Sequence, residues 1–399
     1  MAVERPLPPV WLMGFGFLPL GASGSIMLIT VPQLLAANHV PEPQIASVTA
    51  IALFPGFSSF LLAPLLDWRF SRRAYAIGLT ILSGLSMFGA LVFIRDLRLL
   101  AAMLFVSNTA ISLCVAAVGG WFGNLTPTED KPALGAWFTV SNLGAGGVVA
   151  SLAIYLLRDL PYALGAGVLC LSIVMILPLY FLTPCPPADG RLASESFREF
   201  ARDVLALLRR PAVLWALLIF LMPSASFALT NTLSGFGRDF SISEKMAGLI
   251  GGVGIAIAGV VGSLVVPELA KRVAARPLYL LVGGFGAAFT LALVMLNKTP
   301  TTFGLAMLGE NGFQAAAFSV AYVITLRTIG HDNPLAATQF GLLTSATSLP
   351  LSYMQVIDGQ AYGSGGVNGS YLADALVSGG ACVVLGLILW VWRRSVVEA

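Results

Sequence analysis

Long apolar runs, each closed off by charges or by Pro and Gly clusters, dominate the chain. They fall at about 10–37, 44–66, 74–94, 97–119, 133–157 and 161–182. After a polar stretch they resume at about 211–235, 244–268, 276–296, 301–327, 335–359 and 371–392. Each run is close to the roughly 20 residues that cross a bilayer as a helix. The alternation over about 10 residues that a transmembrane barrel strand needs is absent. The pattern predicts an all-α polytopic membrane protein with twelve transmembrane helices. The first run carries no charge between Arg5 and Glu42, which far exceeds the 7–15-residue core of a signal peptide. It is expected to remain as the first span.

Composition narrows the classes further. Of 399 residues, 57% are hydrophobic and 10% charged, and mean hydropathy is +0.87. A water-facing surface needs about 25% charge, so soluble enzymes, disordered scaffolds and nucleic-acid binders are excluded. The net charge of +3 is also too small for a nucleic-acid footprint. Three of the four cysteines (Cys114, Cys170, Cys382) fall in apolar runs and Cys185 in a loop, with no CxxC spacing. Neither disulfides nor a metal site is expected, and no cofactor is implied.

Charge also orients the chain. Of the 22 Lys and Arg residues, 16 fall on one side: Arg5, Arg69, Arg72, Arg73, Lys131, the central segment from Arg191 to Arg210, Lys271, Arg272, Arg276, Arg327, Arg393 and Arg394. The other six are Arg95, Arg98, Arg158, Arg238, Lys245 and Lys298. Both termini are therefore expected in the cytoplasm and the protein in the cytoplasmic (inner) membrane. The connection 183–210 separates six spans (1–182) from six (211–399). Within it Phe197, Phe200, Val204, Leu205 and Leu208 recur at helical spacing with Arg198, Arg202 and Asp203 between them. That is the signature of a helix lying on the membrane surface.

The two sets of six spans resemble each other. A shift of 203 residues pairs Gly56 with Gly259, Pro64 with Pro267, Leu66 with Leu269, Arg69 with Arg272, Arg73 with Arg276, and Asn108 with Asn311. A shift of 202 pairs Asp130 with Asp332, Pro132 with Pro334, and Phe138 with Phe340. Parallel repeats of this kind build transporters whose substrate site lies at the midplane between pseudo-symmetric halves.

Candidate chemistry follows from where polar groups sit in apolar runs. Glu310 lies about ten residues into its span, near the bilayer centre. An ionised carboxylate there costs roughly 3 kcal/mol or more, so it must face a cavity, be paired or be protonated. It is the candidate proton-coupling group; a structural carboxyl bonded to neighbouring helices is the other reading. Asp358 and Asp374 fall near the outer ends of their windows, where hydration is easy, and are weaker candidates. Gln33, Asn108, Asn142, Asn231, Thr232, Asn311, Gln314, Gln339 and Gln355 are candidate lining of a substrate cavity, or simple interhelical hydrogen-bonders. In Pro64-Leu-Leu-Asp67-Trp-Arg69-Phe-Ser-Arg72-Arg73, an aspartate at one helix end can pair with arginines of the next and latch the cytoplasmic side. The plainer reading is positive-inside charge.

This last stretch resembles the Asp-Arg-x-Gly-Arg-Arg loop of the major facilitator superfamily, with Ser71 where Gly is usual. Leu62-Ala63-Pro64-Leu65-Leu66-Asp67, Leu125-Thr-Pro-Thr-Glu129-Asp130 with Gly135-Ala136, Glu310-Asn311, and Ala337-Thr338-Gln339-Phe340 with Leu342-Leu343 are similar to segments of its AmpG-type permeases, the peptide–acetyl-coenzyme A–drug group. The resemblance implies the major facilitator fold and proton-driven import of a small organic solute, by a monomer whose partners are that solute, protons and the lipid bilayer. Cargoes of the group include anhydro-muropeptides, acetyl-coenzyme A and, in shorter relatives, ferric siderophores. Gly119-Gly120-Trp121 stands where muropeptide permeases carry Asp before Ala-Trp, and 399 residues suit the shorter siderophore importers.

Other classes fit less well. Drug exporters often carry Gly-Pro-x-x-Gly-Gly in the fifth span, whereas Leu143-Gly-Ala-Gly-Gly147 lacks the proline. Gly21-Ala-Ser23-Gly24 resembles an intramembrane serine protease, but such a serine needs a His base within hydrogen-bond reach. His39 lies about 24 Å further along the helix, and His331 lies in a connection on the opposite side. No enzymatic activity is expected. A binding-only receptor would need neither the repeat nor a buried Glu.

Overall fold

The computed structural model describes residues 7–68, 70–185 and 197–397; Arg5, Arg69 and Arg191 of the residues named above lie outside them. No strand occurs among the described residues. The first six helices are α1 (Val10–Ala37), α2 (Pro43–Leu61), α3 (Arg72–Val92), α4 (Leu97–Leu125), α5 (Lys131–Asp159) and α6 (Tyr162–Leu182). Then come α7 (Phe197–Leu207), α8 (Pro211–Leu221), α9 (Ile250–Arg272), α10 (Ala275–Val294), α11 (Pro300–Ile329) and α12 (Ala336–Val397).

Several helices begin where local chemistry directs. Ser71 accepts the Ala74 amide at the start of α3. Asp96 accepts the Arg98 and Leu99 amides at the start of α4. Thr299 and Thr302 form a reciprocal capping box ahead of α11, with Pro300 at its first position. Within α1, Pro32 has no N–H and crowds the Leu28 carbonyl, and the turn over Ile26–Thr30 widens to a π-turn. Large apolar side chains such as Leu85, Ile257, Phe285 and Leu376 point outward and are exposed, as a surface covered by lipid requires. Inside, backbones approach closely. A Cβ on Gly21 would overlap the Asn142 carbonyl oxygen, so α1 and α5 touch there. This packing accounts for the first glycine of Gly21-Ala-Ser23-Gly24.

Three elements depart from the sequence pattern. The window at 211–235 is not one helix. Met222, ahead of Pro223, is extended at φ −85° and ψ 147°, as a residue before proline prefers. The chain then passes Phe227 at φ 50° and continues as tight 3-10 turns, Ala228–Asn231 and Leu233–Phe240.

The glycine-rich stretch expected as a loop after 359 is helical. Only Gly366 leaves helical space, at φ 58° and ψ −151°, a conformation open to glycine. There the chain folds back: the Ser370 hydroxyl donates to the Asp358 carbonyl at 2.8 Å. Helix α12 is therefore two antiparallel limbs joined at Gly366. Asp358 and Asp374 each lie eight residues from that turn, about 12 Å along their limbs. They are 1% and 2% exposed, and not at hydrated helix ends.

Third, α7 forms where the amphipathic pattern lies and meets α8 at 64°, but its buried face differs. Leu207 is buried and Val204 packs beside it, while Leu205 and Leu208 are exposed. The side chains of Phe197 and Phe200 lie outside the description.

Candidate functional site

At the end of the bundle that carries most of the basic residues, the loops of α1–α6 are bonded to the ends of α11 and α12. Asp67 is fully buried and pairs with Arg72 at 2.7 Å. The same carboxylate accepts the Ala337 amide at 3.3 Å, the Thr338 amide at 2.6 Å and the Thr338 hydroxyl at 2.8 Å. Asp67 thus caps the N-terminus of α12 from another helix, where the free amides and the positive end of the helix dipole favour an anion. Arg72 in turn donates to the carbonyls of Asn333 at 3.1 Å and Pro334 at 2.8 Å.

The C-terminus of α11 is capped with the opposite charge. Lys131, 1% exposed, donates to the carbonyls of Leu326 at 2.8 Å and Gly330 at 2.9 Å. A cation belongs at that pole of a helix. Between the two caps, the Asn124 amide donates to the Asn333 carbonyl at 3.0 Å, and the Asn333 N–H donates back to the Asn124 side-chain oxygen at 3.4 Å. Thr128 and His331 meet at 3.2 Å.

Close packing underlies this polar layer. A Cβ on Gly120 would lie 2.6 Å from the Ala336 carbonyl carbon, so only glycine lets α4 reach the start of α12. Deeper in, Phe17 and Phe138 stack with centroids 3.8 Å apart, and Tyr322 and Phe340 stack at 6.0 Å. The two pairs meet edge to face, Phe17 lying 5.4 Å from Tyr322 and 5.9 Å from Phe340. These hydrogen bonds join α1–α6 and their loops to α11 and α12 at this basic face. This face is closed.

A second polar cluster lies deeper, within the later helices. Glu310 is fully buried and accepts the Thr290 hydroxyl at 2.5 Å on one oxygen; its other oxygen has no protein partner. Asp374 and Asp358 lie within electrostatic range of it and of each other. Both oxygens of Asp358 and one of Asp374 likewise have no protein partner, nor does the Tyr371 hydroxyl. Among the described residues, no ion pair to any of the three carboxyls is present. Lys298 lies 4.8 Å over the Tyr371 ring and 5.6 Å over that of Phe240. Burial pushes the Lys298 ammonium below its ordinary pKa. Among the described residues, no group of three or more His, Cys, Asp or Glu is arranged to hold a metal ion.

The predicted residues divide between these places. Of the latch candidates, Asp67 and Arg72 pair with each other, Arg73 is half-buried beside them, and Arg69 lies outside the described residues. Gln339 is not with the cavity candidates: it accepts from the Asn333 side chain at 2.8 Å, inside the closed face. It sits there because α12 begins at Ala336. Gln314 joins α11 to the broken segment after α8, donating to Thr230 at 2.7 Å and to the Phe227 carbonyl at 3.3 Å. Asn108 donates to Ala52 of α2 at 2.7 Å. Asn311 donates to Met307 on its own helix at 2.8 Å, and Thr232 to Leu229 at 3.2 Å. Gln33 and Asn231 are exposed, and Asn142 and Gln355 half-buried. The pattern gave no site role to Asn124, Lys131 and Asn333 in the closed face, and it ranked Asp358 and Asp374 of the cluster as weaker candidates at hydrated helix ends.

A bundle whose two sets of helices are hydrogen-bonded to each other at the basic face is suited to a carrier that opens its two faces in turn. Residues 13–354 match the family model of the Major Facilitator Superfamily, and the chain belongs to that superfamily: it is a secondary transporter and not an enzyme. No curated protein matches the sequence. Among solved structures, the human organic anion transporter MFSD10 superposes with a TM-score of 0.73 at 17% identity, over 95% of this chain and 100% of that one. The E. coli fucose:proton symporter does so at 0.69 and 15%, over 95% and 98%. A bacterial homologue of the iron transporter ferroportin, in an outward-facing state, gives 0.66 and 17%, over 95% and 100%. At these identities the likeness is one of fold.

Proposed function

We propose that this transporter is a proton-coupled importer of a small organic solute, working by alternating access, with Glu310 as the coupling carboxyl. The observation that carries the reading is the burial of Glu310 with one oxygen unpartnered, beside two further unpaired carboxyls. A carboxyl without a cation in apolar surroundings is stable as the neutral acid and releases its proton when water reaches it. Gln314, one turn along from Glu310, ties this helix to the non-helical backbone at Phe227 and Thr230. Irregular backbone at membrane depth is where transporters line a cavity. The cavity candidates Gln33, Asn142, Asn231, Thr232, Asn311, Gln314 and Gln355 are proposed on that basis.

Inside-positive charge supports a cytoplasmic basic face and cytoplasmic termini in the inner membrane. The closed basic face then makes this conformation an outward-facing one. The importer direction and the cargo class, a siderophore or a peptide- or sugar-peptide-like solute, rest on the resemblance of residues 62–67, 125–136 and 337–343 to AmpG-type permeases.

The test starts with a solute found by its thermal stabilisation of the purified protein. In proteoliposomes under an imposed pH gradient, wild type is expected to concentrate that solute and to stop when a protonophore is added. Glu310→Gln is expected to exchange internal for external solute at near wild-type rate without concentrating it. Accumulation by Glu310→Gln rules out the coupling role.

A further inference from the structure

A cavity of about 780 Å³ belongs neither to the closed face nor to the carboxyl cluster. It lies between the first turn of α8, the start of α10, the end of α11 and the second limb of α12. Its walls are mainly apolar, among them Leu281, Val383, Gly386 and Trp390, and among the described residues its charged lining is Arg276 and Arg327. Arg276 sits in the first turn of α10 and Arg327 in the last turn of α11, so both guanidinium groups start from helix ends at the basic face. Neither pairs with a carboxylate among the described residues; the acidic neighbour Glu268 is already bonded to Lys271 and Arg272.

The cavity is polar at one end and apolar at the other. From Trp390 at the basic end to Cys382 its wall follows eight residues of α12, roughly 12 Å into the membrane. Leu281, Val383 and Trp390 are 46%, 63% and 53% exposed, so the mouth opens sideways toward lipid. A soluble anion would satisfy the arginines and leave that apolar length unfilled. A neutral lipid would fill it and leave two guanidinium groups without a counter-charge.

We propose that this cleft holds an anionic glycerophospholipid of the leaflet at the basic face, its phosphate between Arg276 and Arg327 and one acyl chain along α12. Basic pockets between transmembrane helices are a recurring way to bind such headgroups, and the arginine fork suits phosphate oxygens. The site lies next to the lock. Leu326, whose carbonyl accepts from Lys131, directly precedes Arg327, so bound lipid would bear on the helix end that the lock grips.

Native mass spectrometry of the detergent-purified full chain tests this, with dioleoyl phosphatidylglycerol and dioleoyl phosphatidylcholine added separately. Wild type is expected to retain one phosphatidylglycerol with a preference of roughly thirtyfold, from two arginines near the headgroup. Arg276→Gln/Arg327→Gln is expected to bring the two lipids to parity. Gly386→Phe leaves the arginines intact and fills the apolar length, since a Cβ at Gly386 meets nothing within 4 Å; it is expected to lose both lipids. If Gly386→Phe melts below wild type in the same detergent, Leu281→Trp serves as the filling variant. Equal retention of both lipids by wild type, or an unchanged preference in the double variant, overturns the proposal. So does displacement of the lipid by millimolar glycerol phosphate, which would mark a site for a free anion.

Discussion

Two regions of this transporter bury carboxylates equally deeply and treat them in opposite ways. At the basic face, Asp67 is fully buried, and its oxygens meet Arg72, two backbone amides and a hydroxyl. In the later helices, Glu310, Asp358 and Asp374 are as buried but receive one protein hydrogen bond between them that the structure defines, from Thr290. A charge that is buried, paired and fully hydrogen-bonded keeps its charge and fixes a geometry. Carboxyls crowded together without a cation cannot all hold charge and are suited to exchanging protons. On the proposed function, the first region serves as a lock and the second as a place where protons come and go. Both lie at α11 and α12, so a change at either can be felt along the same helices.

Breaking the lock is expected to give the largest effect. Asp67→Asn strips the charge that answers Arg72 and the α12 amides. Removing one member of a buried ion pair costs about 3–5 kcal/mol, all of it borne by the conformation closed at this face. Spin-label distances between Ala74→Cys and Ala274→Cys, both exposed at this face, should lengthen in a chain freed of its native cysteines. Unchanged distances with normal transport would return Asp67 and Arg72 to ordinary inside-positive charge.

A smaller effect is expected from steric separation with every charge kept. Gly120→Val adds a Cβ 2.6 Å from the Ala336 carbonyl carbon, and overpacking of this kind costs about 1–3 kcal/mol. The same label pair should shift in the same direction but less completely. If it does not shift, the approach of α4 to α12 is not what holds the face shut.

The smallest effect should come from the cluster. Thr290→Val removes the one hydroxyl bonded to Glu310 and should lower stability by about 1 kcal/mol, read as a modest drop in melting temperature. Its transport should keep the pH gradient's drive, because the carboxyls remain. A collapse of folding would mean that Glu310 is held structurally.

Much of this was legible in the amino-acid sequence. The apolar runs placed most of the spans, and the stretch around Asp67 and Arg72 announced an ion pair because both members lie five residues apart. The latch's other side was not legible. Thr338 is 271 residues from Asp67, and Lys131 is 195 from Leu326; nothing local marks such pairs. The two stretches nonetheless both carried the family resemblance, at residues 62–67 and 337–343, and the fold brings them into contact.

The carboxyl cluster was ranked too low for a different reason. Residues 360–370, with Gly363, Gly365, Gly366 and Gly369, read as a connection between two apolar runs, since clustered glycines usually punctuate structure. Only Gly366 needs its positive φ; the limbs run helically to that turn. Misplacing the helix ends moved Asp358 and Asp374 to the membrane surface on paper, and left Glu310 looking solitary. A similar local error made 211–235 one helix, although Pro223 was there to stop it.

The claim that binds these regions together is that protons cross with solute through the Glu310 cluster. It is tested most directly by a pH-sensitive dye trapped inside proteoliposomes, read while a solute that stabilises the protein is added outside with no pH gradient imposed. In wild type, solute entry should acidify the interior. In Glu310→Gln, solute should still enter down its own gradient with no dye response. Acidification by Glu310→Gln at the wild-type rate would contradict the account.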